Sequence, residues 1–191
     1  MKVNRKGQSS VLDSKQLDLL IQALPEQTHK PLAYLLRKTA CRISEGRQLT
    51  WDCISDTAIL FPAEITKGKL QSREVPLDPQ LAQILDSWKI KWSELHSYNP
   101  KSNDFLFPGR DFDKPVTTRA FDLALRAAAK KLNLRGVSTH SFRRSSLTSA
   151  SDLGVPLRHI QSISGHRSLA VLQKYLEVKD EHKVQAVSSF A

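Results

Sequence analysis

Residues 57–77, TAILFPAEITKGKLQSREVPL, break the texture of a chain otherwise patterned for helix. The runs TAILFPAEI (57–65) and SREVPL (72–77) have strand character, and TKGKLQ between them reads as the turn of a hairpin. Helical spacing dominates on both sides. DSKQLDLLIQAL (13–24) opens on the N-cap candidate Asp13, sets Leu17, Leu20, Ile21 and Leu24 on one face, and stops at Pro25. HKPLAYLLRKTA (29–40) is a second amphipathic helix with Leu32, Leu35 and Leu36 together, and 41–51 continues as a short helix or turn. After the hairpin come a helix over 78–96, a loop over 99–115 holding a short apolar strand from Phe105 to Phe107, and a helix over 117–134 ended by Gly136. Helices near 141–152, 156–163 and 168–176 follow. The pattern predicts a mainly α fold with one small antiparallel β-sheet (α+β) and no internal repeat. Residues 1–12 read as a flexible basic arm, 13–178 as one domain, and 179–191 as a tail with Val184, Val187 and Phe190 on one side.

At 191 residues the chain fits one domain with a proper core. No run approaches the roughly 18 apolar residues of a membrane span, and the basic N-terminus lacks an apolar signal core. The expectation is a cytoplasmic protein with no membrane partner. Cys41 and Cys53 have no metal-ligand spacing, which argues against a disulfide scaffold and a zinc site. The 29 Lys and Arg outnumber the 19 Asp and Glu, for a net charge of +10. Such a surplus suits a polyanion, most simply nucleic acid.

The stretch THSFRRSSLTSASDLG (139–154) places His140, Arg143 and Arg144 at the start of a helix. A helix N-terminus favours negative charge, so cations there anticipate an anion. His140 and Arg143 lie three apart and share a face, although HxxR alone is a weak motif. In TACRISEGRQLTWDCI (39–54), Arg42 sits among apolar and small residues with Glu45 one turn on. An arginine so placed needs an anion, and Glu45 is either its partner or the holder of another site member. The plain alternative is an intrahelical ion pair worth roughly a few tenths of a kcal/mol. Lys67 and Lys69 lie in the hairpin turn, where a solvated basic loop is the commoner case. GHRSLAVLQKYLEV (165–178) carries His166 after a glycine and Tyr175 nine residues later; taken alone, Tyr175 reads as core packing.

Taken together, T-x-x-R-x-S-E around Arg42, a hairpin lysine before R-x-V-P-L, His140-x-x-Arg143, Gly165-His166 and then Tyr175 resemble the tyrosine recombinase (phage integrase) family. The resemblance spans about residues 13–178 and implies that family's catalytic-domain fold. It implies that Tyr175 attacks a DNA phosphodiester to give a 3′-phosphotyrosyl link, with Arg42 and Arg143 clamping the non-bridging oxygens. His140 would take the tyrosine proton or hold the phosphate, and His166 would add a hydrogen bond. Lys67 matches the family's general-acid lysine, with Lys69 the alternative because the turn is re-spaced. Glu45 would support the site, while Arg47, Arg144 and Lys174 would face phosphates or solvent. Ala40 stands where many members have Gly, a change in packing more than in chemistry. The resemblance implies no metal or cofactor, double-stranded DNA as partner, a homotetramer on DNA from a monomer or weak oligomer, and a place at the nucleoid. The tail would dock on a neighbour or fold back on its own domain. Most members carry a further N-terminal DNA-clamping domain. Here the pattern begins almost at Met1, as in an excised catalytic domain or a naturally short member such as the recombinases of fimbrial inversion switches.

Three other readings share parts of this pattern. A type IB topoisomerase would use the same tyrosine chemistry to relax DNA, but TxxRxSE and the VPL hairpin favour a recombinase. A catalytically silent DNA-binding regulator would have no need of the complete set. A metal-dependent nuclease needs clustered carboxylates, and the only tight pair, Asp111 and Asp113, lies in a turn-like loop.

Overall fold

The computed structural model describes residues 7–66, 68, 71–177, 183–184 and 187–190. Its hairpin is shorter than the sequence suggests. Strand β1 (Ala58–Phe61) pairs antiparallel with β2 (Arg73–Pro76), with Ile59 opposite Val75 and Phe61 opposite Arg73. Pro62 has no N–H to extend the ladder, and Ala63–Ile65 forms a 3-10 turn, so the expected strand over 57–65 ends four residues early. A two-stranded sheet is marginal alone. This one is held because Ile59, Phe61 and Val75 are buried in the main core.

Around it lie eight α-helices among the described residues. They are α1 (Ser14–Gln22), α2 (His29–Thr39), α3 (Ile43–Gly46), α4 (Pro79–His96), α5 (Thr118–Lys131), α6 (Thr139–Asp152), α7 (Leu157–Ser164) and α8 (Leu169–Gln173). Their starts follow from sequence. Asp13 and Gln16 close a capping box on α1, Asp78 caps α4 ahead of Pro79, Thr117 caps α5, and Ser138 caps α6. The core gathers the apolar faces of α1, α2, α4 and α5 with Phe142 of α6. A smaller cluster of Ala40, Leu147, Ile160 and Leu172 joins α2, α6, α7 and α8, and Tyr175 packs against it.

Four expectations need correction. Phe105 to Phe107 is not a strand: the carbonyls of Phe105 and Leu106 accept the indole N–H groups of Trp92 and Trp88 at 3.2 and 2.7 Å, leaving only an isolated bridge between Thr50 and Phe105. Helix α5 is closed before Gly136, by left-handed Asn133 (φ 54°) and the Leu134 N–H on the Ala129 carbonyl. Helix α8 ends at Gln173, so Tyr175 lies in the turn beyond it. The arm is not flexible through residue 12. Ser9 and Leu12 are buried, Ser10 N–H reaches the Gly136 carbonyl at 3.0 Å, and Leu12 N–H reaches Ser145 Oγ at 2.8 Å. In the tail, Val184, Val187 and Phe190 are exposed; residues 178–182, 185–186 and 191 lie outside the described residues. No helix among the described residues is long and apolar enough to cross a membrane.

Candidate active site

Glu45 organises the floor of the site. Its side chain has no solvent exposure, and it carries two guanidinium groups: Arg42 Nη1 at 2.8 Å and Arg73 Nη2 at 2.6 Å. Arg42 is the N-cap of α3 and also donates its backbone N–H to Glu45 at 3.2 Å. Arg73 comes from the first position of β2, with its guanidinium 4.2 Å above the Phe61 ring. Burial alone would push the Glu45 carboxyl up. The Arg73 charge and the hydrogen bonds from both arginines outweigh it, so the carboxyl sits below its ordinary value.

Arg143 is 1% exposed. It donates from Nη1 to the Ala40 carbonyl at 2.6 Å and from Nη2 to the Ser164 carbonyl at 2.9 Å, while buried Nε has no protein partner. Burial, then the charge of Arg42, lowers its pKa to about 10, which leaves it cationic at neutral pH. Ala40 is left-handed (φ 50°) at the end of α2, a conformation that costs a non-glycine residue roughly 1 kcal/mol. Its consequence is more than packing, because that turn aims the carbonyl that anchors Arg143.

His166 is buried beside this guanidinium. Arg143 Nη2 lies 2.9 Å from its Nε2, and Ser164 Oγ lies 2.8 Å from its Nδ1. Burial, then the charges of Arg143 and Arg42, push the imidazole down to about 3, so it is neutral at pH 7. A neutral ring donates one hydrogen bond and accepts another. Tyr175 closes the group: its ring centroid is 4.7 Å from that of His166 and 5.4 Å from Arg143 Cζ.

The site opens into a cleft of about 710 Å3 lined by Arg42, Arg73, Arg158, Gln161, His166 and Arg167. A second hollow of about 70 Å3 joins Arg42, Ser44, His140 and Arg143. His140 is exposed in the first turn of α6, its backbone N–H on Ser138 Oγ at 3.3 Å. Thus Arg42, Glu45, His140, Arg143, His166 and Tyr175 come together from four separate parts of the chain. Lys67 and Lys69 lie outside the described residues. Gly68 between them is left-handed (φ 91°), and a methyl group there would collide with Arg167 on the cleft wall.

Of the three cations expected to face phosphates or solvent, two turn to backbone carbonyls instead. Arg144 is buried, with Nη1 on the Ser9 carbonyl and Nε on the Tyr175 carbonyl at 3.3 Å. Arg47 donates to the Val116 carbonyl at 3.1 Å and fastens the loop before α5. Lys174 is exposed, in keeping with a side chain facing solvent, and its carbonyl accepts from Gln8 at 3.4 Å. Sequence reading assigned no role to Arg73, although it stands in the R-x-V-P-L run; nor to Ser164, Arg158 and Arg167, which had no signal beyond residue type. Cys41, also buried here, has its thiol pushed up to about 11 by burial and is not a nucleophile at neutral pH. Among the described residues no group of three or more His, Cys, Asp or Glu is arranged to hold a metal ion.

Residues 10–182 match the sequence profile of the phage integrase family. The chain is 29% identical over 181 residues to an integrase/recombinase of Sinorhizobium fredii, covering 94% of this chain and 55% of that one. It is 28% identical over 175 residues to the tyrosine recombinase XerC of Pediococcus pentosaceus, covering 87% and 57%. It therefore spans little more than half the length of these relatives. Among solved structures, the fold matches XerA recombinase with a TM-score of 0.77 at 22% identity, over 96% of this chain and 64% of that one. It also matches the catalytic domain of bacteriophage HP1 integrase with a TM-score of 0.66 at 17% identity, over 96% of each chain.

Proposed function

Because the chain belongs to the phage integrase family, that of the tyrosine recombinases, we propose that it cleaves and rejoins double-stranded DNA through a covalent 3′-phosphotyrosyl intermediate. The observation that carries this reading is the convergence of Arg42, Arg143, His166 and Tyr175 beside one cationic cleft. In the proposed step, Tyr175 Oη attacks a backbone phosphorus while the bond from phosphorus to the 5′-oxygen breaks. His140 accepts the tyrosine proton. The hairpin lysine, Lys67 with Lys69 as alternative, protonates the departing 5′-oxygen. Charge gathers on the non-bridging oxygens, where planar guanidinium groups suit better than ammonium. Arg42 lines the open cleft and meets the phosphate first. Arg143 is covered by the Tyr175 and His166 rings, so it reaches the phosphate as those rings shift onto DNA. Once Arg143 turns to the phosphate, Ser164 Oγ–H can donate to Nδ1 and neutral His166 can donate from Nε2 to a phosphate oxygen. The phosphotyrosyl bond conserves the energy for resealing, so ATP is not required, and the arginines supply the charge stabilisation that a metal would otherwise give.

Bound to DNA, the protein acts as a tetramer that exchanges strands between two duplexes, with the tail a candidate for docking between protomers. The test is to incubate the protein with sheared host DNA, quench with SDS and recover DNA attached to protein, beside Tyr175→Phe and with EDTA. The expected outcome is an adduct from the wild type that persists in EDTA, and none from Tyr175→Phe with DNA binding retained. An adduct abolished by EDTA favours a metal-dependent nuclease, and DNA binding without any adduct favours a silent regulator.

A further inference from the structure

Tyr175 lies past the end of a five-residue helix, in a turn whose own bond is Tyr175 N–H on the Leu172 carbonyl at 2.8 Å. Thr148 Oγ1 of α6 accepts the Glu177 N–H at 3.3 Å, and the remaining support of this turn comes from the opposite end of the chain. Arg144 joins the Tyr175 carbonyl to the Ser9 carbonyl, 135 residues from itself in sequence. Gln8 donates its side-chain amide to the Lys174 carbonyl at 3.4 Å. The carbonyls on both sides of the Tyr175 Cα are therefore tied, directly or through Arg144, to residues 8–9.

The strap is itself fastened to α6. Ser9 Oγ is 2.6 Å from Oγ of Ser138, the N-cap of the helix that presents His140 and Arg143. Ser10 N–H bonds the Gly136 carbonyl, Leu12 N–H bonds Ser145 Oγ, and the Leu12 side chain is buried in the core. Arg144 makes no ion pair among the described residues. A buried cation held by neutral carbonyls forfeits hydration that those acceptors only partly return. What the guanidinium supplies is a rigid fork, with separate donors for two chain segments.

We propose that Arg144 and the strap over residues 8–12 position Tyr175, registering the nucleophile against α6 and giving whatever precedes residue 8 a mechanical handle on it. This rests on the reading of Tyr175 as nucleophile. A strap lifted from α6 frees the Lys174 carbonyl and removes the Ser9 carbonyl that steadies the Arg144 fork on Tyr175, while Arg42, Glu45 and Arg73 stay in place. Arg144 is a positioning residue and touches no substrate.

The test uses the full chain with Arg144→Ala, Arg144→Lys, a deletion of residues 1–9, and Leu125→Ala, a core variant remote from these contacts. Two quantities are read: hydrogen exchange of the amides over 172–177, and the single-turnover rate of SDS-resistant adduct formation on sheared host DNA. Arg144→Ala is expected to speed exchange over 172–177 about tenfold and slow adduct formation about 100-fold, with DNA binding within about twofold by gel shift. The deletion reproduces both effects, combining the two adds little because they cut one tie, and Arg144→Lys recovers part of the rate. Exchange over 172–177 unchanged from wild type overturns the proposal. So does a rate no lower than that of Leu125→Ala when each is measured at the same margin below its Tm. If Arg144→Ala does not fold, the deletion carries the test with the same outcomes. If the wild type forms no adduct, the recombinase reading falls, and the exchange measurement decides the positioning claim by itself.

Discussion

At the residue scale, Glu45 does the most with one side chain, neutralising two guanidinium groups in a place without solvent. Glu45→Gln keeps the volume and leaves both arginines without a countercharge. Breaking a buried pair from one side costs about 3 kcal/mol, so the variant is expected to show a urea midpoint lowered to match. The pH dependence follows from the depressed carboxyl. Its stabilising contribution is fully present above the unfolded value of 4.5 and is lost as pH falls through the lower folded value. Glu45→Gln should therefore flatten the acid limb of the stability profile below pH 4.5, and an unchanged acid limb would remove Glu45 from this role. The Arg42–Glu45 pair was legible because three residues separate the partners. The Arg73–Glu45 pair was not, since it spans 28 residues and exists only once the hairpin folds. Arg144 shows the opposite failure: its charge read as facing phosphate or solvent, but a one-residue step from Arg143 turns it toward the Ser9 strap.

Elements set the angles at which these side chains meet. Helix α7 stops at Gly165, which is left-handed (φ 66°) and so close to β2 that a Cβ would lie 3.2 Å from Arg73 Cδ. That close approach brings His166 and Arg73 to one cleft. Gly165→Ala is expected to cost about 1–2 kcal/mol for the backbone alone and to press Arg73 away from Glu45. Calorimetry should show a lowered Tm, and adduct formation should slow as well; a variant as stable and active as wild type would mean that the approach is not needed. Helix positions were readable from apolar spacing and caps, and the hairpin from its turn. Errors fell where tertiary bonds took over the backbone: at Phe105–Phe107, whose carbonyls serve tryptophans, and after α8, where the chain leaves the helix to present Tyr175.

Over the whole molecule, a net charge of +10 suits a partner carrying regular negative charge. The termini then take on different tasks. The N-terminal strap packs against α6, which the expectation of a flexible arm missed because its serines act through hydroxyl and backbone contacts that no apolar pattern announces. At the other end Val184, Val187 and Phe190 remain exposed, a surface suited to a second protomer. Deleting 180–191 is expected to leave binding of single duplexes within about twofold while reducing higher-order complexes on native gels; unchanged higher-order complexes would argue that the tail serves its own domain. The central claim is the covalent chemistry at Tyr175. It is tested most directly by digesting the SDS-resistant complex with protease and nuclease and mapping the nucleotide-bearing peptide by mass spectrometry, with the freed DNA end labelled by a kinase. The expected product is a nucleotide joined through its 3′-phosphate to Tyr175, with a 5′-hydroxyl that labels without phosphatase treatment. A linkage on another residue, or through a 5′-phosphate, would contradict it.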